Sequence, residues 1–294
     1  MSKLYFSGHQ SFICKQFWLK KAYEYARAKR SFSEETAVIE LGVGKNMVSS
    51  IQFWGKAFGI LTDADVPTPL GSYLFGSRGK DKFLEDVGTT WLLHTQLIRH
   101  GRSSIYPFVF NEFRKERIDF TKEQLHQFLK RRCEEVNPSS YNLNTISNDI
   151  NVFVRNYVKP PKDEKFEIED DFAGLLIELN LVKQFKQRDE DNKIVHWYKI
   201  EAQERMDLPF QLVLYCILEN FPNQKTISFR ELMSRQNSPG TMFALNPEGL
   251  YQKLVQITDS YKGINYTETA GNQVLQIKSA IQPLEVLDDY YNQN

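Results

Sequence analysis

Between positions 45 and 56 the chain places Lys45, Asn46, Ser49, Ser50, Gln52 and Lys56, with Val48 and Ile51 interspersed. On a helix this spacing turns Val48 and Ile51 to one face and leaves the amides, hydroxyls and ammonium groups on the other. Such a flank can donate hydrogen bonds. Lys45 and Lys56 suit phosphates, and Asn46, Ser49, Ser50 and Gln52 suit phosphates or base edges, so the expected chemistry is recognition of double-stranded DNA. Other chemistries find less support. His9, His94, His100, His126 and His196 form no HExxH pair or other metal-ligand spacing, and the carboxylates are scattered. Gly42-Val43-Gly44-Lys45 resembles part of a phosphate-binding loop, but Ile39 stands where that loop needs glycine and Asn46 where it needs Ser or Thr. No cofactor, metal or catalytic residue is expected.

The elements that must position this flank are two amphipathic runs on either side of Gly42-Val43-Gly44. Gly42 suits a turn with positive φ, and Val38, Val43, Val48 and Ile51 fall where a helix-turn-helix joins its helices. Ser31 with Glu34 forms a capping-box pattern before the first run, and Gly59 can end the second. The segment Thr62–Gly71, rich in proline, reads as a short wing. Phe53 and Trp54 fit core packing, as do Tyr106, Phe108, Phe110 and Phe113. His9 fits a hydrogen bond to nearby backbone.

At 294 residues and 41% hydrophobic content, the chain has room for two or three modules with their own cores. Its 37 basic and 37 acidic residues cancel, which argues against a protein that coats nucleic acid indiscriminately. The distribution is uneven. Residues 1–60 carry nine basic and four acidic side chains, whereas residues 204–294 carry seven and ten. Three separated cysteines suggest neither a disulfide framework nor a zinc knuckle. With no apolar signal core and no membrane-length run, the cytoplasm is the default compartment.

Hydrophobic period and turn residues predict a mainly α fold with small β-hairpins (α+β), built from tandem winged-helix or helix-turn-helix modules. The expected divisions are 1–118, 119–203 and 204–294. In the second, Thr121 caps a helix to about Glu135, a turn follows at Asn137–Ser140, and Ile146 to Tyr157 form another helix. A linker at Lys159–Lys165 and a short helix from Asp171 to Leu179 precede a hairpin from Leu181–Phe185 and Ile194–Ile200. In the third, helices open near Leu208, Ser228 and Asn246-Pro247, followed by a hairpin of Ile264–Glu268 and Gln273–Ile277. Its acidic balance favours protein docking or dimerisation over DNA.

The strings FSGHQSF (Phe6–Phe12), WLKKAY (Trp18–Tyr23), LGVGKNMV (Leu41–Val48), TPLG (Thr68–Gly71), WLLH (Trp91–His94) and FNEF (Phe110–Phe113) resemble the bacterial family DUF4007. The resemblance runs in order over about the first two fifths of the chain and more weakly to about residue 200. It implies a setting rather than an activity: such proteins are encoded beside sulfate-reductase-like, cysteine-desulfurase-like and ATPase genes in phage-defence loci of the DNA phosphorothioation or BREX-like type. It supplies no catalytic residues.

Two functions follow. The first is a non-catalytic DNA-binding component or regulator of a DNA-modification-based defence system. Its partners would be double-stranded DNA, sulfur-transfer or ATPase subunits, and a second copy of the chain. The second is an adaptor subunit whose winged helices dock protein partners in a defence complex without touching DNA.

Overall fold

The computed structural model describes residues 4–136, 142–159, 174–269 and 271–293. They form a helix-dominated α+β protein with two small three-stranded antiparallel sheets. Contacts divide the chain into two compact units, 1–200 and 201–294. The Asn137–Ser140 turn and most of the Lys159–Lys165 linker lie outside the described residues, as does the start of the Asp171–Leu179 helix. A single 3-10 turn, Ile177–Leu179, occupies that helix's end.

In the first unit α1 (Trp18–Arg27), α2 (Thr36–Leu41) and α3 (Lys45–Ala57) pack together. Gly55 permits the close approach of α1 and α3, because a Cβ there would lie 2.9 Å from that of Ala22. Ser31 and Glu34 do not form the expected capping box. Instead Ser31 pairs with Ser33, and α2 starts later, after Glu35. No wing follows α3. Thr62 N–H reaches Val66 O at 2.8 Å to close a tight turn, with one isolated bridge between Leu61 and Pro67. Thr68 then caps α4 (Pro69–Phe75) by accepting from Gly71 N–H at 3.0 Å. Proline at the first helical position explains the outcome: its fixed φ suits a helix start, and it has no N–H to give a strand.

A long helix, α5 (Val87–His100), runs through the interior with eleven of its residues buried, from Gly88 to Ile98. After it come α6 (Ile105–Phe108), a π-helical turn at Val109–Phe113 and α7 (Arg114–Glu116), and here the aromatics expected in the core are buried. Strand β1 (Asp119–Phe120) leads into α8 (Lys122–Val136) and, beyond it, α9 (Leu143–Tyr157). The expected hairpin forms from β2 (Lys183–Arg188) and β3 (Ile194–Lys199), in the order β1-β3-β2 with Phe120 opposite Tyr198.

The second unit runs α10 (Phe210–Asn220), β4 (Thr226–Ser228), α11 (Phe229–Ser234), α12 (Pro239–Met242), α13 (Pro247–Ser260), β5 (Ile264–Thr269), β6 (Asn272–Ile277) and α14 (Pro283–Gln293). Its sheet order is β4-β6-β5, with Ile227 and Tyr266 both opposite buried Leu275. Ser228 and Glu231 form a full capping box, and Asn246 accepts from Gly249 N–H at 2.7 Å. Beyond the hairpin, where the spacing predicts no further element, α14 packs on α10.

Candidate docking groove

The α2–α3 turn forms as the glycines suggest. Gly42 takes φ +64°, and the N–H groups of Gly42 and Val43 donate to Ile39 O and Val38 O, each at 3.2 Å, closing the last turn of α2. Gly44 is extended and, lacking a side chain, leaves the start of α3 without a side-chain cap. Beyond it Val48, Ile51 and Trp54 are buried, as their spacing requires.

Val38 and Val43 behave differently from expectation. Rather than closing completely over the helix joint, they remain half-buried and line an open groove of about 620 Å³ with Lys15, Phe17, Trp18, Lys21 and Met47. Phe17 is 45% exposed, and Ile39, next to Val38, is 83% exposed. The reason lies in the length of α2, whose six residues are too few to cover both α3 and the start of α1. Lysines supply the polar edge. Lys21 Nζ donates to Leu41 O at 2.8 Å, tying α1 to the end of α2, while the Lys15 ammonium sits 5.9 Å from the Trp18 ring centre.

The six residues expected to read DNA do not form one open flank. Lys45, Asn46 and Ser49 are exposed near the start of α3. Ser50 is buried and donates to His9 O at 3.0 Å, because its position one residue before Ile51 faces the N-terminal segment. Gln52 Nε2 donates to Asp65 Oδ2 at 2.9 Å, and Lys56 Nζ pairs with Asp65 Oδ1 at 2.8 Å with its side chain only 12% exposed. The turn that replaces the wing thus occupies the far half of the flank.

Behind α3 lies a buried cluster whose composition suggests chemistry. His9 Nε2 lies 3.3 Å from Asp149 Oδ1, and Ser50 is adjacent. The arrangement is structural. Ser50 Oγ bonds the His9 carbonyl rather than its ring, and His9 Nδ1 accepts from Ser11 N–H at 3.1 Å. The ring also stacks on Trp54 at 6.0 Å, and both His9 and Asp149 are buried. Asp149 Oδ2 accepts from Ser7 N–H at 2.9 Å, and Asn156 on the same helix accepts from Cys14 N–H and donates to Tyr106 Oη. The FSGHQSF segment is therefore a clamp between α3 and α9. Burial raises the pKa values of Cys14, Tyr106 and Tyr157, so none is a ready nucleophile or acid at neutral pH.

The family profile described as protein of unknown function (DUF4007) matches residues 6–291. The chain belongs to this family. Membership extends well past residue 200, where the resemblance had faded, and includes the second unit. No curated protein matches the chain. Two solved structures do: a magnesium ion-bound SspB crystal structure, with TM-score 0.83, and a second SspB crystal structure, with TM-score 0.81. Each is 23% identical to this DUF4007 protein and covers 98% of it and 88% of the SspB chain. That likeness is one of fold. The magnesium belongs to that SspB structure; among the described residues of this chain, no group of three or more His, Cys, Asp or Glu side chains gathers as a metal site would require.

These findings correct the DNA-binding reading. The fold is shared with SspB along nearly the whole chain, and α3 has no wing beside it. Ser50 is buried and Gln52 and Lys56 are engaged by Asp65, which leaves Lys45, Asn46 and Ser49 as the exposed part of the expected flank. A DNA-binding role in phage defence, with double-stranded DNA and sulfur-transfer or ATPase subunits as partners, is therefore set aside in favour of the docking alternative. Among the described residues no helix is long and apolar enough to cross a membrane.

Proposed function

We propose that this DUF4007 protein is a non-catalytic adaptor that docks another protein through the groove beside the α2–α3 turn. The observation that carries the reading is the groove itself: about 620 Å³, with half-buried Val38, Val43 and Met47 and exposed Phe17, in a unit whose other large side chains are mostly buried. That volume falls within the roughly 300–1,000 Å³ of ordinary binding pockets. Its occupant on this reading is a bulky apolar side chain from a partner's peptide segment.

The second unit is consistent with docking. Its order of helix, strand, helices and hairpin, followed by α14, resembles a winged helix with one added helix, and we read residues 204–294 as such a module. The helix in the recognition position, α13, exposes Glu248, Tyr251 and Asp259, a surface ill suited to phosphate.

The test places a photo-crosslinking amino acid at Val43 in cells and identifies the linked peptide. That peptide is then synthesised and titrated against the native chain and Met47→Asp. The adaptor reading expects a discrete protein crosslink and about a tenfold or greater loss of affinity in Met47→Asp, with unchanged circular dichroism. No protein crosslink, or a peptide bound equally by Met47→Asp, would overturn it.

A further inference from the structure

The outer strands of each sheet have one side that pairs with no other strand, and the two six-residue outer strands, β2 and β5, differ in how that side is guarded. β2 carries exposed Lys183, Lys186 and Arg188, cations of the kind that keep an edge from pairing with another chain. β5, Ile-Asn-Tyr-Thr-Glu-Thr, has no lysine, arginine or proline, and its β-branched and aromatic residues favour an extended partner. Lys278 N–H donates to Gly263 O at 2.7 Å, which fixes the alternation of the ladder: Asn265 and Thr267 bond β6, whereas Tyr266 and Glu268 turn N–H and C=O away from it. Among the described residues, nothing bonds those outward groups. Tyr251, 42% exposed, holds its ring 5.9 Å from that of Tyr266 and extends an apolar surface beside the edge. The charges at the two ends of β5 are opposite. Exposed Lys262 and Lys278 stand at the Ile264 end, and exposed Glu268 stands near the hairpin tip. Of the acids near Lys262, Asp289 is hydrogen-bonded to the Tyr261 hydroxyl and Asp259 lies on the last turn of α13.

We propose that β5 pairs antiparallel with β5 of a second copy of this chain, joining two sheets into one of six strands about a twofold axis at Tyr266. The edge is complementary to itself, because reversing it lays its acidic end on its basic end. In this register the outward N–H and C=O of Tyr266 bond those of Tyr266 in the second copy, and Glu268 N–H donates to Ile264 O. Glu268 then faces the end where Lys262 stands. An axis at Thr267 would instead set Glu268 diagonally across from its own counterpart, a like-charge contact. The groove in the other unit takes no part in this pairing.

Sedimentation equilibrium of the full chain over about 1 to 100 μM should show a reversible monomer–dimer equilibrium. Glu268→Pro removes one outward N–H per copy and keeps every bond to β6, since proline is tolerated on the open side of an edge strand. It should raise the dimer dissociation constant about tenfold or more, with unchanged circular dichroism. Lys262→Glu and Glu268→Lys should each weaken the dimer about fivefold, and the two together should restore it, which a damaged hairpin would not do. A native chain that stays monomeric, a Glu268→Pro variant that dimerises as well as the native chain, or a charge exchange that fails to restore the dimer would overturn the inference. Crosslinking and peptide binding at the α2–α3 groove are read independently, so none of these results would touch the docking reading.

Discussion

Asp149 is the residue whose loss should cost the first unit most. Its carboxylate, 1% exposed, accepts Ser7 N–H at 2.9 Å and lies 3.3 Å from His9 Nε2. Asp149→Ala takes the acceptor from the Ser7 N–H and the carboxylate from beside the buried His9 ring, and leaves a cavity in the interior, three losses of about 1 kcal/mol or a little more each. Added together, with the cavity partly relaxed, the expected loss is about 3–4 kcal/mol, a large share of the roughly 5–15 kcal/mol that holds a domain folded. Asp149→Asn keeps one acceptor and nearly the same volume, so it should lose about half as much. The chain offers a selective probe. Trp18, Trp54, Trp91 and Trp197 all lie within residues 1–200, and the second unit has no tryptophan. Urea unfolding followed by tryptophan emission therefore reports the first unit. With a slope of about 2 kcal/mol per M, the alanine midpoint should fall by about 1.5–2 M. A loss below about 1 kcal/mol, or an asparagine variant as damaged as the alanine one, would refute the clamp as the source of this stability.

Three further outcomes follow from the same contacts. Gly42→Ala should destabilise the first unit by about 1 kcal/mol through its φ of +64°, since no atom lies within 4 Å of a Cβ built there, and Gly42→Asn should cost less. In the second unit Ser228→Ala removes the capping box and should cost about 1 kcal/mol by circular dichroism without moving the tryptophan transition. Hydrogen bonds from the Ser228 backbone and hydroxyl lower the Glu231 pKa, so this contribution is present above the unfolded carboxylate range and is lost as pH falls through the folded value; the variant's penalty should shrink near pH 3. Burial holds the Cys133 thiol at about 11 and Cys14 well above its ordinary value, so both should resist Ellman's reagent at pH 8 until urea opens the first unit.

What could be read from sequence, and what could not, divides by the range of the interaction. The Gly42 turn, the burial of Val48 and Ile51, the Ser228 and Asn246 caps and both hairpins depend on neighbours a few residues apart, and local spacing carries that information. The wing failed for a reason also present locally: Thr68-Pro69 is as good a helix start as it is a turn, and capping by Thr68 decided between them. By contrast Asp149 is 142 residues from Ser7, and nothing in the period of α9 distinguishes a buried clamp from a surface carboxylate. The same limit explains the misread flank. Ser50, Gln52 and Lys56 have the composition of a solvated helix face, but His9 and Asp65 supply acceptors that turn them inward.

The groove was hidden by the opposite ambiguity. Val38, Val43 and Met47 have the composition of core, and only the shortness of α2 leaves them open to solvent. Of the polar residues expected outside, Ser50 is buried and Gln52 and Lys56 are tied to Asp65, while apolar residues expected inside are left accessible. Both differences act in one direction, because an exposed apolar floor beside a shortened polar flank favours a protein segment over a phosphate backbone. Exposed cations alone do not reverse that choice: the Lys45 ammonium can face a carboxylate as well as a phosphate, but Phe17 and Ile39 gain nothing from a phosphate.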